Sequence, residues 1–252
     1  TPDQGKYMDA YVAFGGARKK GWKGVKYADM PCLTKDNDDD DYFGNSDCYF
    51  KKDDKANMGD EKTLTEFLKW AKEKSEGYGK KVIVFWDHGA AYSGVGYDTN
   101  FKDKLELEEL NKSFTDTGFK ADLVAFDACL MGNLEVIQTM KSFASYMLAS
   151  EELVPGHGWQ YAEAFNYITT TPQASIVDIG KKVIDIFIDS PKHVKGKNKT
   201  LALIDLKKAD PVINGINSIS LGFNTKAFEP VLTSVKSSEK YGESSQEDSY
   251  SM

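Results

Sequence analysis

No apolar run in this chain approaches the roughly 18 residues that a membrane-spanning helix needs, so no membrane partner is expected. Positive charge is not in excess either. A formal net charge of −7 and a pI near 5.1 give no general electrostatic reason to bind nucleic acid or anionic lipid, and neither is expected as a partner. The chain opens Thr1-Pro2 with no signal peptide, which reads as a mature or trimmed form. There is no internal repeat, which excludes solenoids and propellers. Histidine and cysteine are scarce, three of each, so a site built from them stands out against the rest. With 252 residues, 40% hydrophobic and 28% charged, one large domain can bury a sizeable core.

Against that background two segments match in design. Val82-Ile83-Val84-Phe85-Trp86 runs into Asp87-His88-Gly89, and Leu123-Val124-Ala125-Phe126 runs into Asp127-Ala128-Cys129. A continuous apolar run that ends abruptly in small and ionisable residues is the pattern of a strand buried on both faces, delivering a side chain to the carboxyl edge of a parallel sheet. One edge receives an imidazole and the other a thiol. A helical segment lies between them, so a right-handed crossover lays the strands side by side and brings His88 within reach of Cys129. A cysteine nucleophile with a histidine base has this geometry.

Strands and helices alternate along the chain. Asp9 to Phe14 reads as a strand closed by Gly15-Gly16, followed by a polar stretch through Asp60. Asp60 is placed to cap a helix with Leu64, Phe67, Leu68 and Ala71 on one face. After the His88 strand come a Gly-rich charged segment from Ser93 to Lys104, a helix near Leu105 to Phe114, the Cys129 strand and a helix carrying Leu134, Ile137 and Met140. Tyr146 to Ala149 is the next strand; Ile176, Ile179, Val183 and Phe187 mark another helix, and Leu201 to Leu206 another strand. Such alternation predicts an α/β sandwich with a mostly parallel sheet. The expected domain is residues 1–233, and the Ser- and Glu-rich residues 234–252 form an expected mobile tail.

The motifs resemble the clostripain family of cysteine peptidases, within the caspase-like clan. The matching text is Asn57-Met58-Gly59-Asp60 with Thr63-Leu64, Trp86-Asp87-His88-Gly89, Phe126-Asp127-Ala128-Cys129-Leu130-Met131, and Ser150-Glu151-Glu152 followed by Pro155-Gly156 and Gly158-Trp159-Gln160-Tyr161. The resemblance implies a caspase-like α/β/α sandwich and an endopeptidase that cuts after arginine or lysine, with peptides or proteins bearing those residues as partners. It also implies a further strand and helix ahead of the matched segment, so the domain here is expected to lack the first strand of the family fold.

The residues support roles of their own. His88 supplies a base to Cys129, and a helix expected just after Cys129 would add a positive field that favours the thiolate. The amides of Gly89 and Cys129 make a plausible oxyanion hole. Asp127 shares a strand face with Cys129, and Glu151 and Glu152 end the next strand, so carboxylates at this edge favour a guanidinium or ammonium. The resemblance carries specificity to Asp127 and Glu152; the plainer reading of Asp127 is a cap on the following helix. His157 and His193 read as solvated or structural.

Cys32 and Cys48 flank a polar loop and read either as a disulfide, suited to a secreted or periplasmic protein, or as reduced thiols. Between them Asp36, Asp38 and Asp40 offer hard oxygen ligands but do not match an EF-hand; calcium is expected through the resemblance, and no organic cofactor is expected. Family members mature by cutting themselves between the two catalytic strands, which points to Lys102 or Lys104. Two other functions stay open: a silent relative that binds basic peptides through the acidic pocket and Trp159 and Tyr161, and a clan member that cuts after asparagine or aspartate.

Overall fold

The computed structural model describes residues 7–30, 49–191, 199–221, 228–238 and 240–242. In chain order its strands are β1 (Tyr11–Gly15), β2 (Val25–Asp29), β3 (Tyr49–Asp53), β4 (Val82–Trp86), β5 (Val95–Asp98), β6 (Asp103–Leu105), β7 (Ala121–Asp127), β8 (Ala144–Ala149) and β9 (Ala202–Asp205). The helices are α1 (Glu61–Lys74), α2 (Leu107–Thr117), α3 (Leu134–Met140), α4 (Tyr161–Thr170), α5 (Ile176–Asp189), α6 (Ala209–Leu221) and α7 (Phe228–Ser237).

The principal sheet has the order β4-β7-β8-β9, with β4, β7 and β8 parallel and β9 antiparallel. Its axis is β7, because alternate side chains there enter two different cores. Val124, Phe126 and Ala128 pack among Leu68, Leu110, Phe114 and Met140 on one face, while Leu123 and Ala125 pack among Leu148, Trp159 and Phe187 on the other. Each fully buried side chain of this size stabilises by about 1.5 to 3 kcal/mol, so this strand fixes both layers at once. The result is the mixed α/β sandwich with a mostly parallel sheet that the alternation predicts.

Helix starts follow their capping chemistry. The Asp60 side chain accepts from the Lys62 N–H at the head of α1, Ser175 and Asp178 form a reciprocal box at α5, and Asn133 accepts from the Val136 N–H at α3. The last of these corrects one reading of Asp127, whose carboxylate caps nothing.

Three regions depart from the sequence reading. The polar stretch before Asp60 contains β2 and β3, which join β1 in a separate antiparallel sheet. Strand β3 exposes Phe50, Lys51, Lys52 and Asp53, so it has no apolar alternation to read. The segment after Ser93 is an ordered hairpin of β5 and β6 rather than a loose connector. Its anchor is Asp98, buried beneath Gly16, whose carboxylate accepts from the amides of Met58, Asn100 and Phe101. Finally, α7 crosses the expected 233/234 boundary, and beyond it the Gly242 N–H donates to Glu152 at 2.9 Å. Among the described residues no helix is long and apolar enough to cross a membrane.

Candidate active site

The register of the two central strands sets the site. Val82 pairs with Leu123 and each following residue with its counterpart through Trp86 and Asp127; carried two residues further, that offset places His88 opposite Cys129. The backbones stay in contact there. A β-carbon at Gly89 would lie 2.0 Å from the Cys129 carbonyl oxygen and 2.9 Å from its nitrogen, so only glycine fits beside the nucleophile.

The imidazole side of the pair is held by its own backbone. Asp87 accepts from the His88 N–H at 2.6 Å with one oxygen and from the Tyr97 N–H at 2.9 Å with the other, tying the turn to β5. The Gly96 N–H donates to the His88 carbonyl and the Ala90 N–H to the Gly94 carbonyl, which leaves the Gly89 N–H outside this pair of bonds. His88 itself is exposed.

The thiol side is more enclosed. The Val154 N–H donates to Cys129 Sγ at 3.2 Å, and the thiol in turn faces the Val154 carbonyl at 3.8 Å. Burial pushes the Cys129 thiol above its usual range, the amides of Val154 and of Cys129 itself partly offset this, and the carboxylates of Asp127 and Glu152 add to it. The expected lowering by a helix N-terminus does not occur, because α3 begins only at Leu134. Immediately after the nucleophile Leu130 takes φ +63°, a left-handed conformation that costs a leucine of order 1 kcal/mol. Its N–H donates to the Glu152 carbonyl and its carbonyl accepts from Asn133 Nδ2.

Asp127 lies on the face of β7 that bears Cys129 and is 3% exposed. One carboxylate oxygen accepts from the Trp159 N–H and from the Tyr161 hydroxyl, both at 2.9 Å; the other has no partner among the described residues. Desolvation raises its pKa to about 6, against the lowering effect of those two donors. Next to it Gly158, at φ +59°, passes so close that a β-carbon would meet Asp127 at 2.7 Å and Trp86 Nε1 at 3.0 Å. A buried carboxylate oxygen left without a donor is a costly exception to the rule that buried polar atoms are paired.

The other predicted residues are placed differently. Glu151 is exposed. Glu152 directs one oxygen to the N–H groups of Leu153 and Gly242, at 2.7 and 2.9 Å, so it borders the nucleophile rather than joining Asp127. Lys102 is exposed in the β5–β6 turn at φ +56°, whereas Lys104 sits in β6 with Nζ donating to Ser93. Cys32, Cys48, Asp36, Asp38, Asp40 and His193 lie outside the described residues. Among the described residues no cluster of three or more His, Cys, Asp or Glu is arranged to hold a metal. Sequence reasoning missed Val154 and the hydrogen bonds that Asp87 accepts, since contacts of backbone amides leave no motif.

Comparison with known proteins agrees with this geometry. The model of the clostripain family of peptidases matches residues 8–251. The chain belongs to the clostripain family. It is 26% identical over 211 residues to clostripain from Hathewaya histolytica, spanning 68% of this chain and 40% of that protein. Among solved structures it resembles a secreted C11 cysteine protease from Bacteroides thetaiotaomicron, "iotapain", at TM-score 0.64 and 18% identity, over 86% of this chain and 61% of that one. It also resembles an inactive zymogen C11 protease from Parabacteroides distasonis, at TM-score 0.55 and 14% identity, over 81% and 53%. These likenesses establish the caspase-like fold, and the chain spans only part of each relative's length.

Proposed function

We propose that this chain carries the catalytic machinery of a cysteine endopeptidase that cuts peptide bonds after arginine or lysine. The observation that carries the specificity is Asp127: a buried carboxylate, one oxygen fixed by Trp159 and Tyr161 and the other unpartnered among the described residues, two residues from the nucleophile on the same face. A guanidinium or ammonium supplies the missing donors and the compensating charge. The neutral carboxamide of an asparagine substrate supplies no charge, and an aspartate would be repelled.

In the reaction His88 accepts the Cys129 proton as Sγ attacks the scissile carbonyl carbon, so that the resting thiol need not be ionised. The oxyanion so formed lies within reach of the Gly89 and Cys129 amides. Collapse breaks the C–N bond, His88 returns the proton to the leaving amine, and a thioester remains. Water, deprotonated by His88, attacks that thioester; the acid leaves and the thiol is restored.

For maturation the favoured cut is after Lys102, which is exposed at a turn, rather than after Lys104, which is held in a strand. A solved relative in complex with an irreversible peptide inhibitor fits the assignment of peptide substrates. Secretion belongs to the same proposal, and so does a calcium requirement, which the family resemblance implies and for which Asp36, Asp38 and Asp40 are the candidate ligands. One assay tests the set: fluorogenic peptides ending in arginine, lysine, asparagine or aspartate, with and without a chelator, on intact protein and on Lys102→Gln. Hydrolysis of the arginine or lysine peptides is expected. Binding of those peptides without turnover would make the chain a silent receptor, and turnover of the asparagine or aspartate peptides would overturn the specificity.

A further inference from the structure

A small hydrogen-bond network joins the nucleophile to a part of the chain that carries no motif. The segment from Ser150 to Val154 grips the nucleophile's turn at three points: the Val154 N–H to Cys129 Sγ at 3.2 Å, the Leu130 N–H to the Glu152 carbonyl at 3.2 Å, and the Gly132 N–H to the Ser150 carbonyl at 2.7 Å. Two of these hold the strained Leu130 itself and Gly132 beyond it, and the first holds the reacting sulfur. Whatever fixes this segment therefore fixes the thiol.

That fixing group is the Thr200 hydroxyl. The N–H groups of Glu151 and Glu152 both donate to Thr200 Oγ1, at 3.0 and 3.1 Å, and Thr200 Oγ1 lies 3.0 Å from Ser150 Oγ. Proton counting decides the direction of the last contact. Ser150 Oγ has one proton and donates it to the Glu152 carbonyl at 2.8 Å, so Thr200 must be the donor to Ser150, which also accepts from the Glu152 N–H at 3.1 Å. Thr200 then gives one proton, receives that of the Glu151 N–H and shares that of the Glu152 N–H with Ser150, which is fully buried. Removing the hydroxyl orphans the Glu151 amide and leaves the Glu152 amide with Ser150 Oγ alone.

We propose that Thr200 is a positioning residue for the nucleophile, acting through Ser150–Val154 on Cys129. The inference rests on the reading of Cys129 as a peptidase nucleophile. The hydroxyl touches neither substrate nor sulfur; it sets the position of the Val154 amide, and thereby the orientation of the thiol and the one hydrogen bond from Val154 that favours its ionised form.

The test uses Thr200→Val, which keeps the shape and removes the hydroxyl, and Thr200→Ser, which keeps the hydroxyl. Three measurements are made on each: kcat and KM on an arginine peptide, the pH midpoint of Cys129 alkylation by iodoacetamide, and the thermal melt. The valine variant should lose roughly tenfold or more in kcat with KM within about threefold, and its alkylation midpoint should move to higher pH as the Val154 bond weakens. The serine variant should recover both. Alkylation reads the thiol without turnover, so a wild type inactive on every peptide would count against the peptidase reading while leaving this assignment to be judged by the midpoint shift. A valine variant that alkylates and turns over like wild type overturns the proposal, as does a serine variant no better than valine when both melt like wild type.

Discussion

The two strands that carry the candidate dyad are neighbours in register, yet they differ in almost every physical respect. Strand β7 is buried along nearly its whole length and delivers Cys129 into an enclosed turn held by Ser150–Val154. Among the described residues strand β4 lies at the edge of the sheet: Ile83 and Phe85 face the core with α1 and α2, while Val82, Val84 and Trp86 stand 44%, 39% and 53% exposed on the opposite face. The difference separates the two tasks. A nucleophile must be held in one orientation, and burial does that while raising its pKa; a base must meet both substrate and water to exchange protons, and an exposed histidine at an edge does that.

The severest way to break the comparison is to remove either reacting group. Cys129→Ala should abolish hydrolysis of arginine and lysine peptides while the melt stays close to wild type, and His88→Ala should lose nearly as much, because the two act as a unit. Retention of more than about a tenth of wild-type turnover by either variant would refute the dyad. The division of labour also fixes a secondary readout. Cys129 of the free protein should alkylate with a midpoint above that of an ordinary thiol, since burial dominates its pKa.

Next in size is the pocket. Asp127→Asn keeps an acceptor for Trp159 and Tyr161 but can present an amide donor where a cation should sit, so it should cost on the order of 2 to 4 kcal/mol in kcat/KM on arginine peptides. With wild type, kcat/KM should rise through about pH 6 as Asp127 ionises, and that limb should vanish in the variant. The sign for stability runs the other way. A carboxyl whose folded pKa is raised above its unfolded value of about 3.9 contributes stability at low pH that is lost as pH rises through about 6, so the unliganded asparagine variant should melt no lower than wild type at pH 7 to 8. Unchanged arginine turnover would remove Asp127 from the pocket.

How much of this could be read in the sequence follows from the same contrast. The end of β7, its parity and the alignment of His88 with Cys129 were legible because a strand buried on both faces leaves a continuous apolar run that stops where chemistry starts. The same rule over-reads β4, whose run Val82–Trp86 suggests burial on both faces although one face is open among the described residues. The β5–β6 hairpin was illegible because its order comes from Asp98 accepting amides as distant as Met58, a tertiary bond with no local signature. Thr200 and Val154 are hidden for a similar reason: one acts through a lone hydroxyl and the other through its backbone.

The smallest expected effect is the one that sharpens the comparison most. Val84 and Ala125 are register partners on the same sheet face, one 39% exposed and the other 1%. Val84→Thr replaces a methyl by a hydroxyl at nearly constant volume and keeps the β-branch that favours a strand, so on an open face water satisfies the hydroxyl and the cost should be within about 0.5 kcal/mol. Ala125→Ser puts a similar hydroxyl where the core around Leu148 and Phe187 offers no comparable access to water, and should cost about 1 to 3 kcal/mol. Urea unfolding of both variants, with equal slopes, measures the two numbers directly. Should Val84→Thr cost as much as Ala125→Ser, the outer face of β4 is covered in solution, and β4 is an interior strand of the kind its sequence describes.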